Sequence, residues 1–213
     1  RGGTGSNSTT LIENDYINQL FIGSTKEMLL FITNAGKAYW LKIHEIPEAE
    51  KNSRGSNIKG ILQVGPDEEI TTIVSLKEFS DDQYLFMTTA KGVVKKVKTS
   101  EFTNAKTRGI IGIKLNDGDK LISAVKTSGS SEVMMVSRCG KALRINEDTV
   151  RTMGRASCGI KGMKLAEGDE IAAAVEVKED SNIILLTEKG YGKRISFELF
   201  STHGRGTGGQ RIF

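Results

Sequence analysis

The 213-residue chain carries 30 Lys and Arg against 26 Asp and Glu, giving a formal net charge of +4 and a pI near 9.0. With 38% hydrophobic and 26% charged residues it reads as a soluble globular protein with enough apolar surface for a core. No run approaches the roughly eighteen apolar residues of a membrane span, and no positive, apolar, small-residue leader opens the chain. Cys139 and Cys158 form no close pair, so no disulfide framework is expected and a reduced, cytoplasmic setting is. The first residue is Arg1 rather than Met, which suggests a piece excised from a longer protein.

Taken in chain order, the elements repeat, and repetition outranks any local motif. Arg1-Gly2 and the strand beginning at Asp15-Tyr16-Ile17 read as the back half of a first unit, residues 1–27. Four segments with one plan follow, starting near 28, 84, 133 and 183: an apolar strand, a glycine turn, then a mixed apolar and basic strand. The turn glycines are Gly36, Gly92, Gly140 and Gly190, separated by 56, 48 and 50 residues. Each sits where a tight connection between β-favouring runs requires positive φ. The residues after each hairpin (43–52, 99–106, 146–154 and 196–204) read as a loop or short helical turn. An arginine with a small neighbour follows: Arg54-Gly55, Arg108-Gly109, Arg155-Ala156 and Arg205-Gly206. Next come a strand such as 159–165, an acidic turn (Asp67-Glu68-Glu69, Asp117-Gly-Asp119, Glu167-Gly-Asp169) and a last strand such as 170–177.

About four strands per unit, only two prolines and no sustained 3.6-residue period predict an all-β propeller-like fold rather than a helical solenoid. The expectation is about four blades of four antiparallel strands in one domain spanning 1–213, with closure of the ring left open. After each turn glycine the fifth residue is apolar (Leu41, Val97, Ile145, Ile195) and the fourth is Trp40, Lys96, Arg144 or Arg194. Period-two geometry puts the fifth toward a core and the fourth outward. Lys95 and Lys193 interrupt that alternation.

Cations in phase with a repeat would lay a charged arc along the molecule, which is what a duplex with one phosphate charge per roughly 1.7 Å of axis requires. Three groups keep phase: the turn lysines Lys37, Lys91 and Lys141; the strand cations Lys95, Lys96, Arg144, Lys193 and Arg194; and the arginines Arg54, Arg108, Arg155 and Arg205. All are expected on a DNA-binding rim, where arginine grips one phosphate and an adjacent glycine lets a backbone N–H approach another. On this reading, reversing the charges of Lys95, Lys96 and Arg144 together should weaken DNA binding and leave the fold intact.

No catalytic set emerges. Gly204-Arg-Gly-Thr-Gly-Gly209 matches a dinucleotide-binding spacing but follows a loop and precedes no helix. Gly36-Lys37 and Gly140-Lys141 lack the upstream glycine of a phosphate-binding loop. His44 and His203 have no partner at ligand spacing. No metal or cofactor of its own is expected.

These residues resemble the β-pinwheel C-terminal domains of DNA gyrase A subunits over essentially the whole chain. Arg1-Gly-Gly-Thr-Gly5 resembles the end of the family's basic glycine-rich box, with Thr4 where a basic residue is usual. Asn18-Gln-Leu-Phe-Ile22, Gly92-Val-Val-Lys-Lys96, Leu115-Asn-Asp-Gly-Asp119, Val150-Arg-Thr-Met-Gly154 and Gly190-Tyr-Gly-Lys-Arg194 are similar to other family phrases. The resemblance implies non-specific double-stranded DNA wrapping in support of ATP-dependent negative supercoiling. Arg1, Gly2 and Gly3 would anchor one end of the wrap. The rest of the gyrase A subunit, together with the gyrase B subunit that it holds, would be partners. ATP and Mg would serve the holoenzyme elsewhere. Two other readings stay open: the C-terminal domain of a topoisomerase IV A subunit, and a propeller that binds proteins on one face. An enzyme is a third.

Overall fold

The computed structural model describes residues 16, 17, 19–50 and 53–212. The expected anchor at Arg1, Gly2 and Gly3, the box around them, and Asp15 and Asn18 lie outside the described residues.

Each repeat opens with a hairpin that its sequence builds in the same way. The hairpins are β1 (Met28–Thr33) with β2 (Lys37–Lys42), β4 (Tyr84–Thr89) with β5 (Val93–Lys98), β8 (Glu132–Ser137) with β9 (Lys141–Asn146), and β12 (Asn182–Leu186) with β13 (Gly192–Ser196). At every turn a hydroxyl closes the connection. Thr33, Thr89, Ser137 and Thr187 accept the backbone N–H of Lys37, Val93, Lys141 and Tyr191 at 3.1–3.3 Å. The intervening glycines hold φ between +74 and +82, which a side chain would strain.

A third strand follows each of the first three hairpins: β3 (Ile70–Leu76), β7 (Leu121–Thr127) and β11 (Ile171–Val177). The fourth strand of each sheet belongs to the next repeat. β6 (Ile110–Ile111), β10 (Ile160–Lys161) and β14 (Gln210–Arg211) pair with β2, β5 and β9, giving the orders β3-β1-β2-β6, β7-β4-β5-β10 and β11-β8-β9-β14. All pairs are antiparallel. Among the described residues the fourth sheet is β12 and β13 alone, two strands rather than the expected four, and the sheets do not close into a ring. β3, β7 and β11 contact one another across sheets and form the inner edge, which leaves β6, β10 and β14 as the outer edge.

The strand expected over 159–165 stops after Ile160–Lys161 because the chain leaves the ladder there. The N–H groups of Gly162 and Met163 both turn to the carbonyl of Gly92 (2.8 and 3.1 Å), as those of Gly112 and Ile113 turn to Gly36 (2.8 and 3.1 Å). The post-hairpin loops hold single 3₁₀ turns at Ile43–Glu45, Thr99–Phe102, Glu147–Thr149 and Phe197–Leu199. No helix among the described residues is long and apolar enough to cross a membrane.

The core is not one interior but a series of seams between sheets. Leu30, Ile32 and Ala38 of the first sheet pack with Leu85, Met87 and Val97 of the second and with Phe102. Phe86 and Val94 of the second pack with Met135, Leu143 and Ile145 of the third. Met134 and Ala142 of the third meet Leu185, Ile195 and Phe200. Alternate residues of one strand therefore serve different seams, and the middle sheets are buried on both faces. Phe102, 0% exposed, fills the first seam, and Phe102→Ala should lower stability by about 3–5 kcal/mol in urea unfolding.

Candidate nucleic-acid interface

Because these sheets are covered by a neighbour, the fourth residue after each of the first three turn glycines points into the next sheet instead of outward, whereas Arg194 on β13 stays exposed. Lys96 is 6% exposed; its ammonium donates to the carbonyl of Glu147 (3.1 Å) and lies 5.4 Å from the Tyr84 ring centroid. Arg144 donates to the carbonyls of Phe197 (2.9 Å) and Phe200 (3.2 Å) and pairs with Glu132. Trp40, the apolar member of the series, does the same through its indole N–H to the carbonyl of Thr103 (3.2 Å). Backbone bonds reinforce each join: Met153 N–H to the Lys96 carbonyl and His203 N–H to the Arg144 carbonyl, both 2.9 Å. The series is thus a repeated latch from one sheet to the 3₁₀ turn of the next.

Lys95 faces the opposite seam at 0% exposure. Its ammonium donates to the carbonyls of Gly112 (2.9 Å), Ser157 (2.9 Å) and Arg155. Burial lowers its pKa to about 8, which leaves it mostly charged at neutral pH. The expectation that Lys95, Lys96 and Arg144 reach phosphate is therefore corrected. A buried cation must have its donors satisfied, and here backbone carbonyls of adjacent repeats do so. The triple charge reversal expected to spare the fold would place carboxylates against those carbonyls and break three seams.

The turn lysines lie at the hairpin end of the sheets, among the acids. Lys37 pairs with Glu68, a buried carboxylate that also accepts from Thr33 and Tyr39. That pairing raises the Lys37 pKa. Lys91 donates to the carbonyl of Asp117 (2.7 Å), and its backbone N–H bonds the Asp119 carboxylate. Lys141 starts β9 at the same end, where Asp169 accepts the N–H of Cys139. These lysines sit in a locally mixed field, whatever their phase in the sequence.

A different set lines the outer edge. Arg155 and Arg205 each stand five residues before their edge strands β10 and β14, whereas Arg108 stands two before β6, so the register corrects the expectation that Arg108 shares their place. Lys161 and Arg211 occupy equivalent places within β10 and β14, and Lys114 and Lys164 follow β6 and β10 at the same interval. Arg108, Lys114, Lys161, Lys164, Arg205 and Arg211 are all exposed. Arg155 is half-buried, 3.7 Å from Glu101, with a guanidinium N–H toward the Ile111 carbonyl. Arg205 repeats that contact on Lys161 and adds one to Thr149. Lys164 and Arg211 escaped sequence reasoning, since neither falls in a hairpin or an Arg-small pair. The signal available was the repeat itself: Lys164 stands 50 residues after Lys114 and Arg211 stands 50 after Lys161. Arg54 is exposed in the loop before the 3₁₀ turn at Ile58–Gly60, and Lys193 and Arg194 are exposed on β13. Among the described residues no three His, Cys, Asp or Glu side chains gather as metal ligands.

Comparison with known proteins places this architecture. A family model described as the DNA gyrase C-terminal domain, a β-propeller, matches residues 27–77, 83–128, 131–178 and 181–213. The DNA gyrase A subunit of Treponema pallidum is 55% identical over 157 residues, covering 74% of this chain and 19% of that protein. The chain spans about a fifth of the length of the curated relatives it matches. Among solved structures, a DNA gyrase A C-terminal domain superposes with a TM-score of 0.77 at 32% identity, covering 96% of this chain and 68% of that one. A DNA topoisomerase IV C-terminal domain gives 0.80 at 29% identity, covering 88% and 59%.

The latch generates two expectations. Arg144→Ala leaves Glu132 and two carbonyls without their donor and should cost about 1.5–3 kcal/mol in chemical unfolding. Burial alone would raise Glu132, but its bonds to Arg144 and Thr202 prevail and hold it below the ordinary 4.5. The native state therefore resists protonation more than the unfolded chain does. Its stabilisation is complete above about pH 4.5 and is lost as pH falls through the lower native value, so wild type and Glu132→Gln should converge in stability in acid and separate at neutral pH.

Proposed function

The chain belongs to the DNA gyrase C-terminal domain family of β-propellers, and from that premise we propose that it binds duplex DNA along its outer edge and bends it around the sheets. The observation that carries this reading is the recurrence of Arg108, Arg155 and Arg205 with Lys114, Lys161, Lys164 and Arg211 on the outer edges of three successive sheets. The acidic turns lead into the inner strands β3, β7 and β11 instead, so the edge presents a line of positive charge to a polyanion. Each two-residue edge strand brings one cluster, and the strand exchange between repeats ties one cluster to the next.

Contacts of this kind fall on phosphate and carry little sequence information. Bending a 20–30 bp site by 40–90° costs on the order of 1–6 kcal/mol, which distributed ionic contacts must offset. Arg1, Gly2 and Gly3 supply a further anchor, and exposed Arg54, Lys193 and Arg194 extend the line. Lys37, Lys91 and Lys141 contribute less, because carboxylates and carbonyls already occupy their surroundings. The wrapped segment would be presented to the remainder of the gyrase A subunit. There, with the gyrase B subunit, ATP and Mg, it would be converted into negative supercoils in the cytoplasm. The chain itself supplies binding and curvature and no chemistry. The topoisomerase IV reading is weaker, since 55% identity to a gyrase protein exceeds the 29% shared with that domain.

Two measurements test this. Lys114→Ala, Lys161→Ala and Lys164→Ala together should flatten the dependence of log affinity on log salt by roughly 2.7, about 0.9 for each lost phosphate contact, with the unfolding curve unchanged. An unaltered salt slope would remove the outer edge from the interface. Ligating nicked circles in the presence of the domain should trap a linking-number change. No change would reduce the role to binding without wrapping.

A further inference from the structure

The turns that lead into β10 and β14 share one plan. Gly154-Arg155-Ala156-Ser157 and Gly204-Arg205-Gly206-Thr207 both close by a hydroxyl onto the glycine carbonyl, at 2.9 and 3.1 Å. Both are gripped by the preceding edge segment, Lys114 N–H to the Ser157 carbonyl (3.1 Å) and Lys164 N–H to the Thr207 carbonyl (2.8 Å). They differ in one donor. Gly206, at φ +80°, turns its N–H onto the carbonyl of Gly162 at 2.5 Å. Ala156 holds the same place and is not among the residues with positive φ, a conformation its Cβ disfavours. The corresponding carbonyl, Gly112, is met by the Lys95 ammonium instead, which also bonds the carbonyls of Arg155 and Ser157.

The sheet residue changes with the turn residue. Where the turn has Gly206, the position equivalent to Lys95 is Leu143, buried at 0% exposure and without a donor. Where the turn has Ala156, that position is Lys95. In the first sheet the pair is Tyr39 and Lys106 (φ +35°), and there the Tyr39 hydroxyl bonds the Glu68 carboxylate rather than a connecting carbonyl.

We propose that Lys95 is a positioning residue for Arg155, its side chain replacing the backbone N–H that Ala156 does not turn inward, and so fixing Arg155 in phase with Arg205. The proposal rests on the DNA-binding reading above. Lys95 touches no DNA; it clamps the carbonyl of Arg155 itself and the two carbonyls on either side of the seam. A methyl group on one turn is compensated by an ammonium on the neighbouring strand.

The test transplants one pair onto the other. In the full chain, Lys95→Leu, Lys95→Leu with Ala156→Gly, and Arg155→Ala are compared with wild type for thermal unfolding and for affinity to a short duplex by anisotropy at fixed salt. Lys95→Leu should weaken binding about tenfold, the loss expected for one charge-assisted contact. Adding Arg155→Ala to it should cost little more. Ala156→Gly should restore both affinity and melting midpoint, because it returns the donor found at Gly206. If Lys95→Leu fails to fold and the double variant folds, the exchange of donors is supported. If the double variant binds as weakly as Lys95→Leu, or neither folds, the proposal is overturned. Multiplicative effects of Lys95→Leu and Arg155→Ala would overturn the link to Arg155. If wild type itself does not bind the duplex, the DNA reading fails, while rescue of the melting midpoint still decides whether Ala156→Gly replaces the Lys95 donor.

Discussion

A β-sheet packed between two others has no solvent side, and that constraint organises this molecule. In an open sheet, alternation separates a core face from a wet face. Here it separates the seam with the preceding repeat from the seam with the following one. Leu85 and Met87 serve one seam while Phe86, between them, serves the other. Every polar side chain on a middle strand must then be satisfied by protein atoms, because water does not reach it.

The fate of the cations follows. A buried ammonium or guanidinium is tolerable only where oxygens face it in good geometry. Exchange of the outer strand between repeats provides those oxygens, because chain leaving one sheet for the next has carbonyls no longer engaged in a ladder. The carbonyls of Gly112, Ser157 and Glu147 all lie on such connecting segments, and Lys95 and Lys96 use them. Positive charge thus has two roles in one repeat. Inside the seams it joins sheets through neutral carbonyls, and on the outer edge it stays hydrated and available to a polyanion.

The same arrangement explains how curvature and charge become coupled. The outer edge is made of two-residue strands donated by the neighbouring repeat, so each basic cluster belongs covalently to one repeat and structurally to another. Each cluster is tied into the seams, where Trp40, Lys96 and Arg144 hold successive sheets. Acidic turns lead into the inner strands rather than the edge strands, which is why a net charge of only +4 hides a polarised surface.

The sequence by itself determined the repeat, the hairpins with their turn glycines, the 3₁₀ turns and the all-β class. These depend on local conformation and on spacing, which a chain displays without its tertiary partners. It also brought Arg155 and Arg205 into one phase, while Arg108, matched to them by spacing, stands three residues nearer its edge strand. Only the tertiary structure decided which cations face water. Lys96 and Lys161 look alike in the sequence, but one lies in a seam and the other on an edge. The difference comes from a neighbouring sheet and a strand about sixty residues downstream, and no local periodicity encodes either. The donation of β6, β10 and β14 across repeats was equally invisible, since two-residue strands leave almost no pattern to read.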